Sequence, residues 1–228
     1  MSTRGRANTY GAERGLSRLE GFSDAVFAIA LTLLTVEIKV PGSPEGAQAY
    51  TDLVRAMTEQ WREHLALVLC YVVIGAYWIQ HHYAGRIFAK SDHWLSAINL
   101  LFLLAIVAVP YPIRVWAFHL DTQFEATASV TLVVGLAVTA CTWMAKWFYG
   151  VPGHRMMDKR LASDFLRQMM RRYCLATILQ IAAIPVAVVA PRAGVAVGLL
   201  AVAFFMLPQP RPRCDPGEEP GKDDKLRE

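Results

Sequence analysis

An all-α membrane protein is the fold class this sequence predicts, on three observations. Of 228 residues, 54% are hydrophobic and only 18% charged, where ordinary soluble domains carry about 25% charge. The mean hydropathy is +0.30. The charges gather in a few clusters, and the apolar runs between them are too long for a globular core. They match the ~20 residues that carry a helix across ~30 Å of hydrocarbon.

Five segments, 65–85, 94–113, 126–145, 173–191 and 193–210, contain no Lys, Arg, Asp or Glu. Each reads as a membrane span, the last as the weakest because its apolar part ends near Leu207. Pro191 and Arg192 leave almost no loop before it, which predicts a tight hairpin. Pro185 predicts a kink in the span preceding that hairpin.

The first apolar segment is shorter. Between Asp24 and Glu37 lie about twelve uncharged residues, ~18 Å of helix. Asp24 so deep in a lipid-facing helix would lack a partner. The segment therefore reads either as an interfacial helix or, better, as a span packed inside protein or along a water-filled path. Its helix is predicted to begin near Leu16 and to stop at Lys39-Val40-Pro41-Gly42. Asp24 and the absence of a cleavage site argue for a retained span rather than a signal peptide.

With this segment the count is six transmembrane helices. Arg4, Arg6, Arg14 and Arg18 precede the first span, and Arg86 and Lys90 follow the second. The stretch from Arg155 to Arg172 and the tail hold most of the remaining basic residues. The positive-inside rule puts these on the cytoplasmic side, so both termini are cytoplasmic in a multi-pass protein of the cell membrane. Lys146 reads as a flank charge at the cytoplasmic end of the fourth span. Residues 1–15 form a cytoplasmic N-terminal segment and 16–208 the six-span domain. Residues 209–228, rich in Pro, Gly and charge toward the end, read as a disordered tail.

Several function classes find no support. The basic residues flank apolar runs and form no stripe, so nucleic acid is not a predicted partner. Cys70, Cys141, Cys174 and Cys214 form no CxxC pair and read as small buried residues. There is no nucleophile elbow, phosphate loop or pair of catalytic carboxylates, so no enzyme activity or cofactor is predicted. His81-His82 with Asp92 and His93 is too sparse for a di-iron site and reads as a helix-end network; no metal is expected. The last three spans do not repeat the first three, which removes a common pointer to inverted-repeat transporters.

The functional weight falls on residues 18–38. On a helical wheel Phe22, Ile29, Leu33, Val36 and Val40 lie within ~40° of one direction, while Ser23 and Asp24 point well away. Periodicity alone leaves packing, lipid contact and pore lining open for that apolar face.

The run Arg18-x-x-x-Phe22-Ser23-Asp24, then Ala-Val-Phe-Ala-Ile-Ala-x-Thr-Leu-Leu and Glu37-Ile-Lys-Val-Pro, resembles the first helix of the transmembrane-protein-175 family of potassium channels. The resemblance extends to Trp78-x-x-His81-His82 and to Asn99-Leu-Leu-Phe-Leu with Pro110, covering about residues 15–208. It implies a homotetramer around a central pore lined by the first helix, with no TVGYG filter. It also implies that Ile29, Leu33 and Val36 form the apolar constriction and that Thr32 supports selectivity. Val36 stands where leucine is common. Arg18, Phe22, Ser23 and Asp24 would join Trp78, His81 and His82 in a network that holds the pore helix. The implied partners are potassium ions, further copies of the chain and membrane lipids. A proton-coupled transporter with Asp24 and His81 or His82 as relays is the alternative, and a His-based metalloenzyme a third reading.

Overall fold

A computed structural model describes residues 3–36, 38–41 and 53–217, with side-chain detail from residue 15 onward. The basic residues before Gly15 and the tail beyond 217, both invoked above, lie outside that side-chain description.

The described residues form eight α-helices: α1 (Thr3–Val36), α2 (Leu53–Glu59), α3 (Trp61–Ile87), α4 (His93–Ala108), α5 (Pro110–Phe118), α6 (Glu125–Gly150), α7 (Ser163–Val189) and α8 (Pro191–Phe205). No strand longer than an isolated bridge occurs among them. Counting α4 and α5 as one unit, five helices are long and apolar enough to cross a membrane. Helix α8, with 15 residues, is a shorter apolar helix of about 22 Å.

Local chemistry sets the boundaries. Asp92 caps α4, accepting from the Leu95 backbone N–H at 2.8 Å. Pro110 opens α5, where a missing N–H costs nothing, so the chain continues helically past it to Phe118. Only Ala190 separates α7 from α8, and Pro191 occupies the first turn of α8. The predicted tight hairpin is therefore present. Helix α7 runs through Pro185.

The helices outrun the charge-free segments. Helix α3 begins at Trp61, α5 ends at Phe118 beyond Arg114, and α7 begins at Ser163 and includes Arg167, Arg171 and Arg172. Their extra turns carry charged groups that water and lipid headgroups solvate, so hydropathy windows stop short of the true ends.

Helix α6 is central and packs on α4, α5, α7 and α8, whereas α1 packs on α3 and α4. Buried residues make up 56% of the most apolar window of α6 but only 11% of that of α1. The core is aromatic: Trp147 and Tyr173 lie 4.6 Å apart, Phe102 and Trp143 5.1 Å, and Tyr77 and Phe205 5.3 Å between ring centres. At one end the chain after α6 folds under the bundle. Asp158 donates its N–H to the Ile87 carbonyl at 3.0 Å, and Ala89 donates to Met156 at 2.9 Å.

The first described residues of the tail read as disordered from 209 are hydrogen-bonded to the segment before α7. Ala162 donates to the Arg213 carbonyl at 2.8 Å and Asp215 to the Arg160 carbonyl at 2.9 Å. Backbone pairing of this kind needs no apolar side-chain pattern, so composition gave no sign of it.

Candidate functional site

Helix α1 has two unlike faces. Phe22, Ile29, Leu33, Val36 and Val40 are each more than half exposed in the single chain. Along α1 the uncovered apolar stripe from Phe22 to Val36 runs ~21 Å; the helix ends at Val36, short of the predicted stop at Lys39 to Gly42, so Val40 lies beyond it. Thr32 sits beside it, its hydroxyl donating to the Ala28 and Ile29 carbonyls at 2.9 and 3.2 Å. Leu33 and Leu34, with Ala30, also border a groove of about 780 Å³ closed on the other side by Pro110, Tyr111 and Phe118.

On the other side of α1, Leu16, Ser23 and Phe27 are buried. On the wheel they stand about 120–160° round from Ile29. Ser23 donates to the Leu19 carbonyl at 2.8 Å and accepts from Asn99 Nδ2 at 2.9 Å. The Phe27 ring packs on His81 and Phe102, with centres 5.7 and 6.1 Å away. Asp24 accepts from Trp78 Nε1 at 3.2 Å, and Trp78 stacks on His82 at 5.7 Å. Phe22 lies on the exposed stripe, away from these contacts, and Arg18 is exposed. Ser23, Asp24, Trp78, His81 and His82 are thus brought together where α1, α3 and α4 meet.

Lys146 corrects the sequence reading. It is no solvated flank charge: it is 5% exposed and lies one turn inside the end of α6. Its Nζ donates to Asn99 Oδ1 at 2.8 Å and lies 3.2 Å from His81 Nδ1. The rings of Trp143, Phe102 and Phe88 surround it at 5.0, 5.4 and 5.9 Å, so amide, imidazole and π-faces replace the lost hydration. Counting charges by position hides such a residue. The signal available was one lysine within Trp143-Met-Ala-Lys146-Trp147-Phe148-Tyr149, an aromatic run that offers an ammonium a cage.

Sequence reasoning also missed Gln80 and Tyr173. The Tyr173 hydroxyl donates to Gln80 Oε1 at 2.8 Å, and Gln80 Nε2 donates to the Phe205 carbonyl, tying α3, α7 and α8 together. No group of three or more His, Cys, Asp or Glu side chains suited to a metal occurs among the described residues.

Residues 18–110 match the family described as endosomal/lysosomal potassium channel TMEM175. A potassium channel of Streptomyces collinus is 34% identical over 85% of this chain and 94% of its own length. The chain belongs to the TMEM175 family. A potassium channel of Chamaesiphon minutus is 33% identical over 63% of this chain and 70% of its own length. The crystal structure of a lysosomal potassium-selective channel TMEM175 homolog from Chamaesiphon minutus superposes with a TM-score of 0.71 at 25% identity. It covers 86% of this chain and 98% of that one. The endosomal/lysosomal proton channel TMEM175 of Gallus gallus is 32% identical over 47% of this chain and 21% of its own length. TMEM175 is a family of channels and not of enzymes, and this member is a multi-pass membrane protein. The matched residues contain the stripe, Trp78, His81, His82 and Asn99 but stop before Lys146.

Proposed function

We propose that this chain is a potassium-preferring cation channel of the cell membrane, assembled as a homotetramer around a pore lined by α1. Ile29, Leu33 and Val36 form the apolar constriction and Thr32 supports selectivity beside it. Six spans, α1, α3, α4 with α5, α6, α7 and α8, leave both termini in the cytoplasm. The names of its relatives support the ion and the membrane role.

The observation that carries this reading is the uncovered stripe on α1, each of its residues more than half exposed, on a helix fastened from its other side. Four such stripes facing one axis leave a narrow apolar tube. A tube of that kind dewets when tight and conducts when widened, and partly hydrated potassium passes more easily than sodium because it sheds water at lower cost. The network of buried Ser23 and more exposed Asp24 holds the helix and does not coordinate the ion.

Potassium flux through purified protein in liposomes tests this, with a sodium gradient run in parallel. Passive flux should prefer potassium and rise several-fold in Ile29→Asn, because a polar ring stays wet. Flux that saturates and requires a proton gradient would instead identify a coupled transporter.

A further inference from the structure

Lys146 is a buried charge that the proposed pore does not yet use. A lysine at the core of a membrane helix bundle is expensive and is kept where it meets a specific partner. Its neighbours come from four helices: Glu20 on α1, His81 on α3, Asn99 and Phe102 on α4, and Trp143 on α6 itself. Glu20, His81, Gly85, Asn99 and Lys146 line one small cavity of about 20 Å³.

The hydrogen bonds run in one direction. An ammonium group donates and cannot accept. Asn99 must therefore turn Oδ1 toward Lys146 (2.8 Å), which turns Nδ2 toward Ser23 (2.9 Å). The Ser23 oxygen then has to accept, and its own proton goes to the Leu19 carbonyl at 2.8 Å. By the same rule His81 presents an unprotonated Nδ1 to Lys146 (3.2 Å), which sets the tautomer of the ring that Phe27 packs on. Ser23 and Phe27, the two α1 residues so contacted, are buried on the face turned away from Ile29.

We propose that Lys146 is a positioning residue for the pore helix. By fixing the orientation of the Asn99 amide and the His81 ring, it sets the rotation of α1 about its own axis, and so the angle at which Ile29 and Leu33 face the pore. This rests on the reading of α1 as the pore lining.

The test is the potassium-to-sodium permeability ratio of full-length channels in liposomes for Lys146→Met, Lys146→Gln, Ser23→Ala and the Lys146→Met/Ser23→Ala double variant. Oligomer size is measured beside it. Lys146→Met has the length but no donor, so the Asn99 amide is free to flip. It and Ser23→Ala should each lower the ratio by about threefold or more, within the range of couplings in one hydrogen-bond network. The double variant should fall no further than the lower single one. Lys146→Gln, which keeps an N–H for Asn99, should lie between Lys146→Met and wild type. A well-assembled Lys146→Met channel with the wild-type ratio, or multiplying effects in the double variant, overturns the proposal. If both Lys146 variants fail to assemble, Ser23→Ala decides: an unchanged ratio overturns the proposal and a lowered one supports it. Ile29→Asn, run alongside, separates the two claims. If it changes flux while the anchor variants leave the ratio alone, only the role of Lys146 falls. If it changes nothing, the pore assignment falls and this inference with it.

Discussion

Asp92 shows how one side chain fastens two helices at the bundle's end. Half-buried between α3 and α4, it caps α4 through the Leu95 N–H at 2.8 Å and accepts the Tyr149 hydroxyl of α6 at 2.5 Å. Arg155 lies over the Tyr149 ring at 4.1 Å. Burial works against the charged carboxylate, but the Leu95 and Tyr149 hydrogen bonds and the Arg155 charge outweigh it and hold Asp92 below its ordinary 3.8. A carboxylate depressed in the folded state stabilises fully above its unfolded value and loses that contribution as pH falls through the folded one. Asp92→Ala should therefore lower stability by about 1 kcal/mol, the usual worth of an N-cap. Thermal unfolding in detergent at pH 7 should show the deficit, and it should shrink in wild-type comparisons below about pH 3.8. At this scale the sequence was partly legible. Ser23 and Asp24 stand out because polar groups interrupt an apolar helix. Lys146 does not, because a lysine near the end of a hydrophobic run looks the same in sequence whether it snorkels to water or turns inward. Only the packing of α4 against α6, with the His81 side chain reaching in from α3, decides which.

Among the elements, the α7–α8 hairpin was readable from Pro191 and Arg192 alone, since two residues cannot span more than a reversal. What sequence could not give is how closely the two helices approach. A Cβ on Gly194 would overlap the Ala187 backbone, and backbone cannot yield as a side-chain tip can. Small residues at helix crossings in membranes serve this close approach. Gly194→Ala should destabilise the bundle by about 1–3 kcal/mol, as overpacking does, read as a lower unfolding temperature in detergent. Gly75→Ala in α3 is the matched control. A Cβ there meets nothing within 4 Å, so the better helix propensity of alanine should leave stability equal or higher by up to about 1 kcal/mol. If both glycines respond alike, helix propensity and not close packing governs the hairpin. The same limit on one-dimensional reading explains α5. Arg114 ended the charge-free run, but the helix carries that charge and continues to Phe118.

For the molecule as a whole, the proposed channel has the apolar residues exposed in the single chain face two different media. Leu100, Leu101 and Leu104 on α4, Leu175 and Ile178 on α7, and Val188 and Val189 at the hairpin have the composition of a lipid-facing surface. The α1 stripe has the same composition, so hydropathy could not separate the two. Their difference lies in the opposite face of each helix. The anchored side of α1 carries Ser23, Asp24 and the buried network; an edge helix held so firmly from one side has a defined orientation for the other. If that other side lines a water path, a thiol placed there reacts with charged reagents, which do not partition into hydrocarbon. In a background where the exposed Cys141 is replaced by serine, Leu33→Cys should lose most of its potassium flux on adding a charged methanethiosulfonate. Val188→Cys, equally apolar and 66% exposed, should keep its flux under the same treatment. Loss of flux in the second channel but not the first would place water at the hairpin and lipid on α1. The stripe would then be an outer surface, and the pore would have to be sought among the faces of α7 and α8.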